Sequence, residues 1–492
     1  MTVAISKSKY VAGLQCLKLI WTQYNDRDPI PRPDAAKQAI FDTGHMVGDL
    51  AKDLFPGGIE IAWSDDPNGR MEQTAAETQE LMKRRVPLYE ASFLIDGCYC
   101  RADLLVPAAG EAWDLYEVKS ATGVKDVNLH DVAFQAWAIE RCGVRLDRLY
   151  LVHLDNTYVR QGEIDVQDLF HAEDVTSRAR ELMPNVPQNV TRMQAVIAGE
   201  RPGTPIGEHC SDPYVCDLWP ACSSFLPKDN VLDLYRVRKR DAFAMIGNGV
   251  TRVVDVSPAA LNAKQLIQQQ AIRTGETRVR AKQVHAWLAS LEYPLHCFDF
   301  ETMMPAVPLF DGTRPYQQIP FQFSLHIVDS PGAKPRHVEF LAENAVDPRP
   351  GLIEALGAIG PEGTILAYNM GFEQARLREL AAAFPAHAEF LLGLVDRFQD
   401  LIVPFRNFWW HDARQRGSCS LKYVLPAVTG TTYEGMEIAE GGQAAREFQS
   451  VVFGNVAPDE KQRVLSALRT YCAQDTRALV DVLAALREAT TP

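Results

Sequence analysis

Residues 98–120 constrain what this chain can fold into more than any other stretch. R-A-D-L-L-V-P (101–107) and W-D-L-Y-E-V-K-S (113–120) are rich in β-formers and separated by a turn at Gly110, which predicts a β-hairpin. Glu117 and Lys119 are two apart on a strand, so both side chains leave the same face, where Asp103 on the neighbouring strand can meet them. Charged groups are rarely buried without a task. Two carboxylates and an ammonium on one spot suit a site where the carboxylates hold a divalent cation. The lysine would then steady or deprotonate a metal-bound water. A solvated strand edge is the plain alternative, since a D…E-x-K pattern is common by chance.

The same periodicity rules lay out the rest of the chain as α/β. Helices are predicted over 6–24, 42–55, 74–85, 132–142, 174–183 and 192–199, with strands over 87–95, 98–106, 113–120 and 148–154. Residues 202–227, rich in Pro, Gly and Cys, read as a loop held by something other than a core. A second α/β pattern begins at Pro294, with strands over 296–302, 320–328, 337–341 and 364–368 and helices over 372–384 and 458–488. The expected organisation is an N-terminal domain over 1–229, a basic helical connector over 230–291 and a C-terminal domain over 292–492.

Charge separates these parts. The chain of 492 residues carries a net −13, yet Arg236–Lys282 holds ten Lys and Arg against three acids, a net +7 that leaves −20 for the remainder. A local basic stripe is enough to attract a phosphate backbone, and a solvated helical linker is the alternative. Ala244–Val250 (A-M-I-G-N-G-V) resembles half of a helix-hairpin-helix, whose glycine turn presents backbone N–H groups to phosphate. No apolar run approaches the roughly 18 residues of a membrane span, and no signal peptide is visible near the start. The expected location is therefore cytoplasmic, with no membrane partner.

Further residues extend the first site. Glu90, in L-Y-E-A-S-F, lies on the strand before Asp103. His45 sits on a helix between Gly44 and Gly48, and Gln135 on the helix after Lys119. The ordered set His45, Glu90, Asp103, Glu117-x-Lys119, Gln135 resembles the RecB-like branch of the PD-(D/E)XK nucleases, including the CRISPR-associated RecB-like exonucleases, over roughly the first 225 residues. The resemblance implies a restriction-endonuclease-like fold and Mg²⁺ or Mn²⁺ bound by His45, Asp103 and Glu117, with Lys119 assisting the attacking water. One departure is Trp137 where those relatives carry Tyr shortly after the motif glutamine.

Ten cysteines in an apparently cytosolic chain point to metal or cluster binding for any clustered set rather than to disulfides. Cys210, Cys216 and Cys222 recur every six residues, and Cys16 is the candidate fourth ligand. Such thiolates bind zinc or an iron–sulfur cluster. One N-terminal and three C-terminal cysteines resemble the iron–sulfur staple of RecB-like nucleases, which implies a [4Fe–4S] cluster, with zinc as the alternative.

A second site repeats the logic of the first. Asp299 and Glu301, in H-C-F-D-F-E-T, share a strand face. Glu373 opens the helix after the strand ending at Tyr368, and Tyr471 and Asp475 lie four apart on a helix. Four carboxylates from three elements can hold two cations about 4 Å apart, flanking an in-line phosphodiester attack, with Tyr471 orienting the water. D-F-E, A-Y-N-M-G-F-E and Y-C-A-Q-D resemble the DnaQ-like DEDD 3′–5′ exonucleases with Tyr in the last motif, which implies an RNase H-like fold. Glu373 stands where those enzymes have Asp. Asp400 and Lys422 are further candidates to line the site, although ordinary helix-surface roles suit both. The C-terminal part also resembles an uncharacterised bacterial domain family typically fused behind RecB-like modules. The expected activity is a metal-dependent nuclease, an exodeoxyribonuclease acting on single-stranded DNA or ends in repair or defence. The alternatives are RNA processing, or a nucleic-acid-binding protein with only one active domain.

Overall fold

The computed structural model describes residues 4–63 and 69–490, in two compact units. The first is Met1–Phe225 with Pro305–Tyr316, and the second is Leu226–Met304 with Gln317–Pro492. Both are mixed α/β. The predicted connector over 230–291 lies in the second unit.

The first unit runs β1 (Ile5–Ser6), α1 (Lys7–Gln15), α2 (Leu17–Asn25), α3 (Ala35–Ala51), β2 (Ile59–Glu60), α4 (Arg70–Met82), β3 (Leu88–Ile95), β4 (Cys98–Pro107), β5 (Trp113–Lys119), α5 (Asp126–Arg141), β6 (Leu146–Leu154), α6 (Val166–Leu169), β7 (Phe170–Asp174), α7 (Thr176–Leu182), α8 (Val186–Ala198) and α9 (Trp219–Cys222). Two predicted helices are corrected here. The one expected over 6–24 is broken by extended backbone at Cys16 (φ −158°, ψ 120°), which ends α1 and caps α2. The one expected from Asp42 starts at Ala35, because the Asp34 side chain accepts the Lys37 N–H as an N-cap.

Strands β2 to β7 form one sheet in sequential order, with β1 parallel to β4. The predicted hairpin is β4–β5, antiparallel with Leu104 opposite Tyr116 and Val106 opposite Asp114. Strand alternation then sorts its side chains. Leu105 and Leu115 pack with Phe134 and Ile139 of α5 on one face, while Leu104 and Val118 pack with Val47 and Ala51 of α3 on the other. Asp103, Glu117 and Lys119 share the phase of Leu105 and Leu115, so they belong to the α5 face.

The second unit runs α10 (Lys239–Gly247), α11 (Ala263–Thr274), β8 (Arg278–Val279), α12 (Ala281–Ala289), β9 (Leu295–Met303), β10 (Ile319–Val328), β11 (Arg336–Leu341), α13 (Arg349–Ala355), β12 (Ile365–Ala367), α14 (Gly371–Ala383), α15 (Ala388–Val395), β13 (Phe398–Asp400), α16 (Val403–Arg406), β14 (Trp410–His411), α17 (Leu421–Thr429), α18 (Gly441–Phe453) and α19 (Pro458–Glu488). Its main sheet has the order β11-β10-β9-β12-β13, and β10 is buried at every residue. Phe298 and Phe300 of β9 face the core lined by α13, α14 and α15. Cys297 faces the opposite core with α12, α17 and α19. Asp299 and Glu301 have the phase of Cys297, which turns them toward α19.

Candidate functional site

The first site forms where the edge of β4 changes partner. That edge pairs with β1 at Cys98 and Tyr99 and with β5 from Leu104 onward. Between the two, the Asp103 carboxylate accepts the Val118 N–H at 2.7 Å. Because β1 stops there and α1 begins, Lys7 is delivered to the same spot. Its Nζ lies 3.1 Å from Asp103 Oδ1 and 2.9 and 3.0 Å from the two Glu117 oxygens. Lys119 Nζ donates to Glu117 Oε1 at 2.5 Å and to Asp131 Oδ2 at 2.7 Å. One turn on along α5, Gln135 Nε2 donates to Glu117 Oε2 at 2.7 Å.

Glu117 is thus buried under two ammonium groups and an amide. Burial alone would raise its pKa, but Lys119 and Lys7 outweigh that and hold it below the usual carboxylate range. Asp103 goes the other way, pushed up to about 7 by burial and by the Glu117 charge. Lys119 is held above its ordinary value, because Asp131 and Glu117 outweigh its own desolvation. Glu90 lies on β3 between the residues paired with Leu104 and Ala102, which places it opposite Asp103. It adopts φ +58°, a left-handed conformation that costs a non-glycine residue about 1–3 kcal/mol and clusters at functional sites. Its carboxylate pairs with Arg101 at 2.9 Å. His45 is exposed on α3, and it joins no cluster of three potential ligand atoms within 4.8 Å of one another among the described residues.

The second site gathers carboxylates, and the nearest cations, Arg376 by Glu373 and Lys422 by Asp475, pair with other acids. Ligand atoms of Asp299, Glu301 and Cys472 lie within 4.8 Å of one another. Glu373, in the first turn of α14, is buried with Oε2 lacking any hydrogen-bond partner. Asp475 projects from α19, and its Oδ1 accepts the Tyr433 hydroxyl at 2.6 Å, with Tyr471 beside it helping to hold its pKa down. Among the described residues no basic side chain forms an ion pair with any of these four acids. Burial and mutual repulsion accordingly push Asp299 and Glu301 well above the carboxylate range. Glu373 rises to about 8 and Asp475 to about 6, both chiefly through burial.

These shifts set a sign for stability without metal. A carboxyl group whose folded pKa is raised favours folding while protonated, and that stability is lost as pH climbs toward the folded value. Buried His296, His326 and His411, each lowered to about 4 by burial, act oppositely, but only up to their unfolded value near 6.5. Between pH 6.5 and 8 the carboxylates therefore stand alone. In EDTA the melting temperature is expected to fall across that window by roughly 5 °C or more. Glu373→Gln is expected to flatten the slope, and millimolar Mg²⁺ to remove it. A melting temperature that is level or rising in EDTA would contradict the assignment.

The four cysteines Cys16, Cys210, Cys216 and Cys222 line one pocket with His209 and Trp219. Burial, reinforced by the neighbouring thiols, pushes Cys216 up to about 11. No three of their sulfurs lie within 4.8 Å of one another. Around a single tetrahedral zinc the sulfurs would stand about 3.8 Å apart.

The two constellations expected from sequence are therefore each gathered, apart from His45. Asp400 is corrected from a helix surface to the buried end of β13, where Oδ1 accepts the N–H groups of Asn369 and Ile402. Lys422 is exposed and 3.7 Å from Glu440. Trp137 packs beside Phe134. Sequence reasoning missed Lys7, Asp131, Tyr433 and Cys472. Asp131 could have been found, being one helical turn before Gln135.

Residues 296–420 match a family described as a domain of unknown function, DUF2779. That span holds Asp299, Glu301, Glu373 and Asp400 and about a quarter of the chain. The chain is 26% identical over 208 residues to an uncharacterized protein of Mycoplasma pneumoniae (the MG366 homolog), covering 38% of this chain and 31% of that one. It is 24% identical over 208 residues to the uncharacterized protein UU173 of Ureaplasma parvum serovar 3, covering 38% and 30%. The chain spans about a third of the length of these curated relatives.

Proposed function

We propose that this chain is a divalent-metal-dependent nuclease with two candidate sites, its first unit a RecB-like PD-(D/E)XK domain and its second a DnaQ-like, RNase H-like domain. The observation that carries the reading is the second site: four acids, Glu301 and Glu373 buried and Asp299 and Asp475 half-buried, gathered without an ion-pair partner among the described residues, one with an orphaned oxygen. Such a group is stable only if protonated or bound to cations. Asp299, Glu301, Glu373 and Asp475 would hold Mg²⁺ or Mn²⁺ there, and Asp103 and Glu117 would do so in the first unit. When bound, the metal supplies Lewis acidity and a water of lowered pKa. The chain's own groups do the rest. Tyr433 and Tyr471 fix the Asp475 carboxylate. Lys119, kept charged by Asp131 and Glu117, steadies developing negative charge rather than acting as a base. The substrate class is DNA, single-stranded or with ends, in repair or defence.

The test is hydrolysis of labelled single- and double-stranded DNA and RNA with Mg²⁺ or Mn²⁺, comparing wild type with Lys119→Ala, Asp299→Ala and the double variant. Full activity in both single variants would sink the site assignments. Loss only in Lys119→Ala would make the second unit a binding domain, a reading favoured by the longer Glu373. Preference for RNA would redirect the substrate class.

The cysteine pocket would hold a [4Fe–4S] cluster, with zinc as the alternative. Its role would be to tie α1 and α2 to the 202–227 loop. Protein purified without air is expected to be brown, with broad visible absorption. A colourless anaerobic preparation with stoichiometric zinc would refute the cluster.

A further inference from the structure

We propose that a cationic cleft between α1, α2 and α3 in the first unit binds the sugar–phosphate backbone and one base of a single polynucleotide strand. Lys9, Arg27, Arg32, Lys37 and Phe41 line this cleft of about 600 Å³, within the roughly 300–1,000 Å³ of ligand sites. Two acids also line it, Asp28 and Asp217, and Asp217 is taken by Lys37 at 2.6 Å. Among the described residues Lys9, Arg27 and Arg32 form no ion pair, in a chain whose net charge is −13.

Un-neutralised cations held together imply an anion. Lys9 illustrates this: burial first, and then the Arg27 charge, lower its pKa, with Asp217 only partly opposing them. One further feature singles out a nucleotide among anions. Phe41 is 43% exposed on the cleft wall, a face on which a base can stack. A stacked duplex offers no free base face at one position, so the fit is to a single strand.

The inference rests on the nuclease reading of the first unit, and its test separates the two. Anisotropy titrations of a fluorescein-labelled oligothymidylate of about 20 nucleotides, with the whole protein in EDTA, would be run at about 50 and 200 mM NaCl. Arg27 and Arg32 are exposed, so their removal leaves the core intact. Arg27→Ala/Arg32→Ala is expected to weaken binding about tenfold and reduce the log–log salt slope by about 1.4. Phe41→Ala is expected to weaken binding severalfold at unchanged slope, and Arg148→Ala, an exposed cation elsewhere on the unit, to change neither. A double variant with wild-type affinity and slope overturns the assignment. So does a Phe41→Ala variant without loss, which leaves a general anion patch. Wild type that binds in the expected pattern yet cleaves no polynucleotide with Mg²⁺ or Mn²⁺ sinks the nuclease reading alone.

Discussion

Lys119→Ala is expected to slow metal-dependent hydrolysis at the first site by about 10²–10³-fold, the usual cost of losing one preorganised donor aimed at developing charge. The rate is best read in an Asp299→Ala background, so that the second site contributes nothing. Lys119 sits at the end of β5 with its ammonium fixed by Glu117 and Asp131, so its position is set before substrate arrives. Because these acids keep it protonated, its loss should lower the rate at every pH rather than shift the profile. A rate that recovers fully at high pH would mean that Lys119 acts as a base, contrary to the electrostatic role assigned above. An unchanged rate would remove Lys119 from the chemistry.

Glu117→Ala is expected to cost about 3–5 kcal/mol of stability in EDTA, the range for removing one partner of a buried ion pair. Glu117 is 1% exposed and is the carboxylate shared by Lys7, Lys119 and Gln135. Without it two ammonium groups face each other across a cavity. Asp103→Asn should cost far less. Burial and the Glu117 charge push Asp103 up, so its charged form is disfavoured, and an amide oxygen can still accept the Val118 N–H. Thermal melts combined with hydrogen exchange of the β4–β6 peptides would follow the first unit separately. A Glu117→Ala loss no larger than that of Asp103→Asn would show that the buried charge network contributes little to holding the sheet.

What could be read from the sequence followed the range of the signal. Asp103, Glu117 and Lys119 were legible because strand alternation is local, and β4 and β5 fall within a residue of the expected boundaries. Asp299 and Glu301 were legible for the same reason. Lys7 was not, since nothing near it records that β1 will pair beside Cys98, more than ninety residues away. Tyr433 lies between helices, in a stretch without periodicity, and only the fold brings it to Asp475. His45 shows the converse case, a suggestive residue type that a helix exposes to solvent rather than gathering with Asp103 and Glu117. The early start of α3 was in principle readable, because Asp34 is an ordinary N-cap.

The segment Pro305–Tyr316 changes how this protein can be taken apart. The chain leaves β9 of the second unit, contributes these residues to the first, and returns to begin β10. Within the first unit Arg160 donates to the Pro308 and Leu309 carbonyls, Tyr316 donates to the Ser120 carbonyl, and Thr313 is fully buried. The two halves are thus laced together rather than strung end to end. A truncation after Phe225 would strip a plug from the fragment it keeps and leave the other fragment with a loose loop. Dissecting the two units therefore calls for point substitutions in the intact chain, or for a fragment that carries its missing strip grafted back.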